Sequence, residues 1–350
     1  MNKNIMSRSL TFFDLFCGAG GMTLGLKMAG FMPWLGLDFE KDCEATHKLN
    51  FPDVPFICGD INKISSDELL STSGLKQGAV DLIVGGPPCQ GFSTVNGKSR
   101  FLDNPKNKLF VEFVRVINDL QPKWFIMENV VGLTTMNGGK VKDAVIDAFK
   151  QIGYSVEPRI LDAANYGVPQ FRQRAFFIGN NQGYPIIFPE KTHADNRDQL
   201  SLFDKNVLKP YITVGNAIMD LLHGSYPNHD RPTHAAIVLE RMSHVPEGGN
   251  QKDIPEHLKP PQLYKNTYGR LDRSKPSYTI HTRFDVASTG SLYHPTENRA
   301  LTVREGARLQ SFPDTFIFAG KKGSQYRQVG NAVPPLLAKA IGEAIIKSMS

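Results

Sequence analysis

The sequence predicts an α/β protein: a parallel sheet with helices on both faces, followed by a smaller and more irregular domain. Three observations predict it. Short apolar runs alternate with segments of helical period through the first half of the chain. Several of those runs end in glycine or an acidic residue, as strands that open onto a ligand crevice do. From about Gln182 to Gly323 the chain turns rich in Pro, His, Asn and Gly, and helical periodicity weakens.

Each element follows from its residues. LTFFDLF (Leu10 to Phe16) reads as a buried strand ending in a glycine cluster, and GMTLGLKMAG as the helix after it, closed by Gly30. FMPWLGLDF ends a second strand at Asp38, and PFICGDI is a third apolar piece ending at Asp60. DLIVGG is the fourth strand and KWFIMENV (Lys123 to Val130) the fifth. Between them Leu109, Phe113, Val116 and Leu120 recur at helical spacing, so Asn107 to Leu120 reads as a helix. Val141, Val145 and Ala148 repeat that pattern from Lys140 to Lys150, and RAFFIGN (Arg174 to Asn180) is a further strand. Short helical pieces follow near Val214 to Leu222 and Ala235 to Met242. The end of the chain regains clean helical period through Leu336, Leu337, Ala340, Ile341, Ala344 and Ile345, with Pro334 and Pro335 at its start. The expected organisation is a first domain over 1–181, a second over 182–323, and a segment 324–350 that returns to the first.

Composition narrows the class. The chain has 350 residues, 41% hydrophobic and 21% charged, which suits a soluble globular protein with a sizeable core. No stretch approaches the roughly 18 consecutive apolar residues of a membrane span. The N-terminal MNKNIMSRSL lacks an apolar core, so no secretory signal and a cytoplasmic location are expected. Cys17, Cys43, Cys58 and Cys89 form no C-x-x-C pair, and no His cluster has ligand spacing, so neither disulfide nor metal is expected. A net charge of +6 and a pI near 9.0 suit a polyanionic partner without demanding one.

Two groups of residues carry chemistry. The first is DLFCGAGGMTLG (Asp14 to Gly25), a glycine turn between a strand and a helix whose N–H groups can face a ligand. The dinucleotide fingerprint would need glycine at 23, where Thr stands. Asp38, 20 residues past Gly18, can take ribose hydroxyls, and Asp60 an adenine amino group. Alone, each is equally a tight turn or a cap; in order, they suggest an adenosine-containing ligand at the carboxyl ends of the strands. The second group is Cys89 in GGPPCQGFS, Glu128 in ENV, and Arg172 and Arg174 in QFRQR. These would bring a nucleophile, a carboxyl group and guanidinium groups to one rim, although a structural cysteine, a solvated glutamate and surface arginines are the ordinary explanations of each.

Taken together, DLFCGAGG, GPPCQGFS, ENV, QxRxR and QVGNAVPP, in this order from Asp14 to Pro335, resemble the DNA cytosine-5 methyltransferases over nearly the whole chain. One departure is Lys106, where the family often shows arginine after the cysteine loop. The resemblance implies an S-adenosylmethionine-dependent Rossmann-like fold with a target-recognition domain, and S-adenosylhomocysteine as by-product. It implies Cys89 as the nucleophile that adds to cytosine C6, Glu128 at N3, Arg174 at O2, and Arg172 orienting the site or a phosphate. Around the cofactor it implies Phe16, Gly18, Gly20, Gly21, Asp38, Phe39, Asp60, Ile61, Pro87 and Asn331. Glycines 91 and 97 would let the loop after Cys89 close over a flipped base. Candidate DNA contacts are Gln90, Ser93, Arg270, Arg273, Thr279 and Arg283. Double-stranded DNA is the implied partner of a monomer, with a cognate restriction endonuclease acting on the same site. Alternatives are an RNA methyltransferase, a non-catalytic DNA-binding regulator and, less well supported by the glycine spacing, a nicotinamide oxidoreductase.

Overall fold

The strand β1 (Thr11–Leu15) is buried at all five positions, which only a central strand covered on both faces allows. The computed structural model describes residues 9–88, 107–195, 208–260, 267–286, 288 and 290–350. In it β1 lies within a seven-stranded sheet with β2 (Met32–Asp38), β3 (Phe56–Cys58), β4 (Leu82–Gly85), β5 (Trp124–Val130), β6 (Ser155–Asp162) and β7 (Gln173–Asn180), in the order β3-β2-β1-β4-β5-β7-β6. The pairs β1–β2, β1–β4, β2–β3 and β4–β5 are parallel, as expected. The pair β5–β7 is antiparallel, so the sheet is mixed rather than wholly parallel. An antiparallel strand toward the edge of a parallel sheet is a common variation.

The chain divides into two compact units. The first comprises Met1–Leu161, Gln173–Glu190 and Ala338–Ser350; the second comprises Asp162–Arg172 and Lys191–Leu337. These bounds differ from 1–181, 182–323 and 324–350 at both junctions. Residues 162–172 leave the sheet before β7 because they pair inside the second unit, where Phe171 N donates to Ser277 O at 2.9 Å.

Around the first unit's sheet lie α1 (Gly21–Met28), α2 (Lys41–Asn50), α3 (Ser66–Ser73), α4 (Lys108–Leu120) and α5 (Lys140–Gln151). The helix α4 buries Phe110, Phe113, Val116, Ile117 and Leu120, one stripe at helical spacing. Phe125 of β5 stacks on Phe149 of α5 with ring centroids 4.0 Å apart. Gly179 of β7 makes room for it, since a Cβ there would come within 2.2 Å of the Phe125 ring. Asp81, 5% exposed, accepts from Thr11 N at 2.9 Å and pairs with Lys123 at 2.8 Å, fastening the entry to β1, β4 and β5.

In the first unit α2, α3 and β6 were not read from the sequence. In α2 the buried side chains are Cys43, Thr46 and His47, so no apolar stripe announces it. His47 instead packs between Phe51 and Phe56, each 4.9 Å away. In α3 only Leu69, Leu70 and Ser73 are buried, and β6 exposes half its residues.

The second unit holds the short helices α6 (Val214–Ile218), α7 (Ala236–Ser243), α8 (Val303–Leu309) and α9 (Lys322–Asn331), and a two-stranded parallel pair, β8 (His193–Ala194) and β9 (Lys209–Pro210). Buried arginines replace regular ladders as its main ties. Arg299 pairs with Glu305 at 2.7 Å, and Arg304 donates to the Phe316 carbonyl at 2.6 Å. The apolar C-terminal stretch forms the helix α10 (Pro335–Ser348), starting at the proline pair as expected and separated from α9 by residues 332–334.

Phe125→Ala should destabilise the first unit by about 3–5 kcal/mol, the usual cost of deleting a fully buried aromatic ring. Urea unfolding measures it, and a loss below about 1 kcal/mol would contradict the packing described.

Candidate active site

Glu128 leaves β5 near its carboxyl end, one residue before Asn129 and two before Val130. In the antiparallel register Glu128 faces Phe176 and Val130 faces Arg174. Arg174 therefore begins its strand where Glu128 ends its own, and Arg174 Nε lies 3.0 Å from Glu128 Oε1. Both side chains are less than one-fifth exposed, so this charge-assisted contact is largely shielded from water. The other carboxylate oxygen, Oε2, lies over the turn after β4, where a Cβ on Gly86 would approach it to 3.1 Å.

That turn is held from the same strand. Asn129, buried, donates from Nδ2 to the Pro87 carbonyl at 3.0 Å. The turn leads straight into Cys89, Gln90 and Ser93, which lie outside the described residues, as does Lys106. Sequence reasoning assigned Glu128 a role and passed over Asn129, although the two are adjacent. The polar Asn at an otherwise apolar strand end was the available signal.

The other described cysteines have different surroundings. Burial pushes the Cys17 thiol well up, and the nearby carboxylates of Asp14 and Asp38 add to it. Cys58 is also pushed up, by burial first and by Glu44 next. Neither environment favours a thiolate.

The glycine turn after β1 occupies the left-handed region at Phe16 (φ 60), Gly18 (φ 54) and Gly20 (φ 88). A Cβ on Gly18 would meet nothing within 4 Å, so the turn is open there, whereas one on Gly20 would strike Phe51 at 2.8 Å. Gly21 opens α1. Asp38, at the end of β2, takes Gly18 N on Oδ2 at 2.8 Å and Glu40 N on Oδ1 at 3.0 Å. Burial raises the Asp38 carboxyl above the ordinary range, and these amides oppose it. Beside it the Phe39 ring is 68% exposed, while Phe16 is half-buried against Phe113. Asp60 caps a short turn, its Oδ1 taking Asn62 N at 3.1 Å and Asn62 Nδ2 at 2.6 Å; Ile61 behind it is buried. An open glycine, two carboxylates at successive strand ends and an exposed aromatic ring fit the parts of an adenosine-bearing cofactor.

Comparison with known proteins identifies the arrangement. Residues 10–347 match the C-5 cytosine-specific DNA methylase family. The chain belongs to that family. It is 43% identical to type II methyltransferase M1.HphI of Haemophilus parahaemolyticus, over 98% of this chain and 88% of the relative. It is 34% identical to type II methyltransferase M.DdeI of Desulfomicrobium norvegicum, over 96% and 88%. Among solved structures it is similar to a DNA modification methyltransferase encoded within an E. coli prophage, at TM-score 0.70 and 26% identity over 97% and 99% of the two chains. The fold is also shared with Spodoptera frugiperda DNMT2, at TM-score 0.65 and 19% identity over 98% and 100%. The protein is a DNA cytosine-5 methylase with an S-adenosylmethionine-dependent methyltransferase fold.

In this methylase Arg172, expected to orient the site or a phosphate, and Arg270, a candidate DNA contact, both face inward. Arg172 is 1% exposed and donates to the carbonyls of Ile280 and Gly330, each at 2.9 Å. A phosphate cannot reach it; it positions backbone inside the second unit. Arg270 is 5% exposed and donates to Val245, Met242, His294 and Glu297 carbonyls and to Asn298. Its guanidinium is spent on the fold, so it is not a DNA contact. Arg273 is half-exposed and bonded by two nitrogens to Glu247. Arg283 is more exposed, 3.6 Å from Asp285. Thr279 donates to the Phe171 carbonyl at 2.8 Å, and Asn331 is exposed at the end of α9 in the second unit. Among the described residues no cluster could hold a metal ion.

Asn129→Ala should lower kcat on the order of 10- to 100-fold and also weaken S-adenosylmethionine binding, because it frees the turn that carries Pro87 and leads into Cys89. Steady-state kinetics with calorimetric binding measures both, and an unaltered kcat would refute the positioning role. Asp14 in β1 offers a pH test. Burial pushes its carboxyl up to about 7, against the Thr23 hydroxyl that donates to it at 2.5 Å. The folded state holds this proton more tightly than the unfolded chain. Its contribution to stability is therefore complete below the ordinary value of 3.8 and is lost as pH rises through about 7. Asp14→Asn should flatten that fall in urea midpoint; the same slope in both proteins would exclude Asp14 as its source.

Proposed function

We propose that the enzyme moves a methyl group from S-adenosylmethionine to C5 of a flipped-out cytosine in a specific duplex DNA sequence, through a transient Cys89–C6 bond. The observation that supports this reading is the Glu128–Arg174 pair, 3.0 Å apart beside the turn that leads into Cys89. A carboxyl group and a guanidinium side by side match the N3 and O2 edge of cytosine.

The chemistry needs each group. C5 of an aromatic pyrimidine is a poor nucleophile. The Cys89 thiolate adds at C6 and pushes electron density toward N3, where protonated Glu128 donates a hydrogen bond or its proton. Arg174 holds O2. The C5 carbon, now enamine-like, takes the methyl; a base then removes its proton and Cys89 leaves, restoring the ring. S-adenosylmethionine supplies the methyl on a sulfonium, which departs as neutral S-adenosylhomocysteine. Phe39 and Phe16 would flank the adenine, Asp38 the ribose, Asp60 through Oδ2 the adenine amine, and the Gly18 to Gly21 turn the methionine part. Ile61 and Pro87 would complete the pocket. Extruding the base costs about a few kcal/mol, which contacts to the opened duplex must offset.

The enzyme would act in the cytosol as a monomer and protect DNA from an endonuclease of the same specificity. Relatives named as type II methyltransferases, at 43% and 34% identity, favour DNA over RNA. Retention of Cys89 and Glu128 disfavours a non-catalytic regulator.

Cys89→Ser should abolish methyl transfer with cofactor binding intact. Duplex carrying 5-fluorocytosine at the target, located by bisulfite sequencing, should form a covalent adduct with the unsubstituted enzyme. Turnover by the serine variant, or no adduct, would end the covalent scheme.

A further inference from the structure

Residues 169–172 and 277–280 run side by side inside the second unit. Ser277 N donates to Pro169 O and Phe171 N to Ser277 O, both at 2.9 Å, with Gln170 and Ser277 bridged in parallel register. Burial sorts their side chains. Gln170, Arg172, Ser277 and Ile280 point inward and are essentially unexposed. Phe171 and Tyr278 lie on the other face, 41% and 63% exposed, and the register makes them cross-strand neighbours. Tyr211 meets Phe171 edge-on, with centroids 5.5 Å apart at 89°, and its hydroxyl donates to Asn165 at 3.0 Å.

The backing of these rings is rigid. Gln170 Oε1 accepts from Ile280 N at 2.7 Å, and its Nε2 donates to the Leu309 carbonyl at 3.1 Å and to Gln310 Oε1 at 3.0 Å. Arg172 ties the Ile280 carbonyl from the same side. Large rings held outward on so fixed a base mark a contact surface.

The surrounding charge selects the occupant. Lys275 and Arg273, a few residues before Tyr278, are 70% and 50% exposed. Lys191 and Lys209 are exposed on the segments that hydrogen-bond beside Tyr211. Asp272 and Glu247 pair with Lys275 and Arg273, but most of the chain's net charge of +6 falls within this unit. A polyanion whose flat π faces are uncovered where its bases unstack, as duplex DNA does around an extruded base, satisfies both rings and charge. We propose that Tyr278, backed by Phe171 and Tyr211, stacks on a nucleobase of the DNA substrate other than the target cytosine, and so positions the duplex. This rests on the reading that duplex DNA is the substrate.

The test compares the full-length enzyme with its Tyr278→Ala and Tyr278→Phe variants on a duplex carrying the methylated sequence. Fluorescence anisotropy gives the DNA Kd, and steady-state assays give KM and kcat. Alanine should raise Kd and KM about tenfold, as loss of one base–aromatic stack does, with kcat and cofactor Kd unchanged. Phenylalanine should restore both. Wild-type affinity in the alanine variant, or a loss that phenylalanine does not rescue, would overturn the proposal. So would an unchanged DNA Kd with loss of a dimer in light scattering, which would assign the rings to a second copy of the chain. Anisotropy reads this inference without turnover, and methyl transfer to duplex by the unsubstituted enzyme reads the function beneath it, so the two failures are distinguishable.

Discussion

The antiparallel pairing of β7 with β5 is the constraint on which the Glu128–Arg174 pair depends. Parallel strands begin at one edge of a sheet and end at the other. A residue at the start of a parallel β7 would lie a strand length away from the end of β5. Reversal brings Arg174, at the start of its strand, level with Val130 and within 3.0 Å of Glu128. The pair needs no flexible loop to bring its members together, since two rigid strands set their spacing. A carboxylate and a guanidinium held by neighbouring strands keep a fixed geometry, as discriminating recognition of a planar ring requires.

The two units solve their packing problems differently. In the first, the sheet satisfies the backbone and apolar side chains fill the space around it. In the second, regular elements are short, and long arginine side chains reach the carbonyls that no ladder occupies. Arg172, Arg270 and Arg304 each donate to two or more main-chain oxygens. Burying a guanidinium is costly unless its donors are used, so these side chains are committed to structure. A loop-rich unit built this way can vary its surface while its interior stays tied.

This division governs what was legible in the sequence. Strands β1 to β5, β7 and the helices α4, α5 and α10 announced themselves, because burial against a sheet imposes an apolar pattern. The helix α2 did not, because His47 and Thr46 occupy its inner face. The strand β6 did not, because it alternates irregularly between exposed and buried positions. Strand direction was also invisible: RAFFIGN reads alike in either sense. At the site, residue type and order brought out Glu128 and Arg174, which the structure pairs. Arg270 was misjudged for one reason. A guanidinium suits a phosphate and a buried carbonyl equally well, and only the fold decides which it meets. Asn129 was missed because its role lies in a single bond to the Pro87 carbonyl.

The helix α10 packs on α1, where a Cβ on Gly342 would come 2.8 Å from the Ala29 methyl and 3.0 Å from Leu26. Its far end is fastened too, as Ser348 Oγ accepts from Ile187 N at 3.1 Å. The segment that covers α1 is thus synthesised long after it. During synthesis the nascent sheet must wait, with that flank bare, until some three hundred further residues have been translated. Maturation of the first unit is therefore tied to translation of the second, which lies between its two parts in the chain.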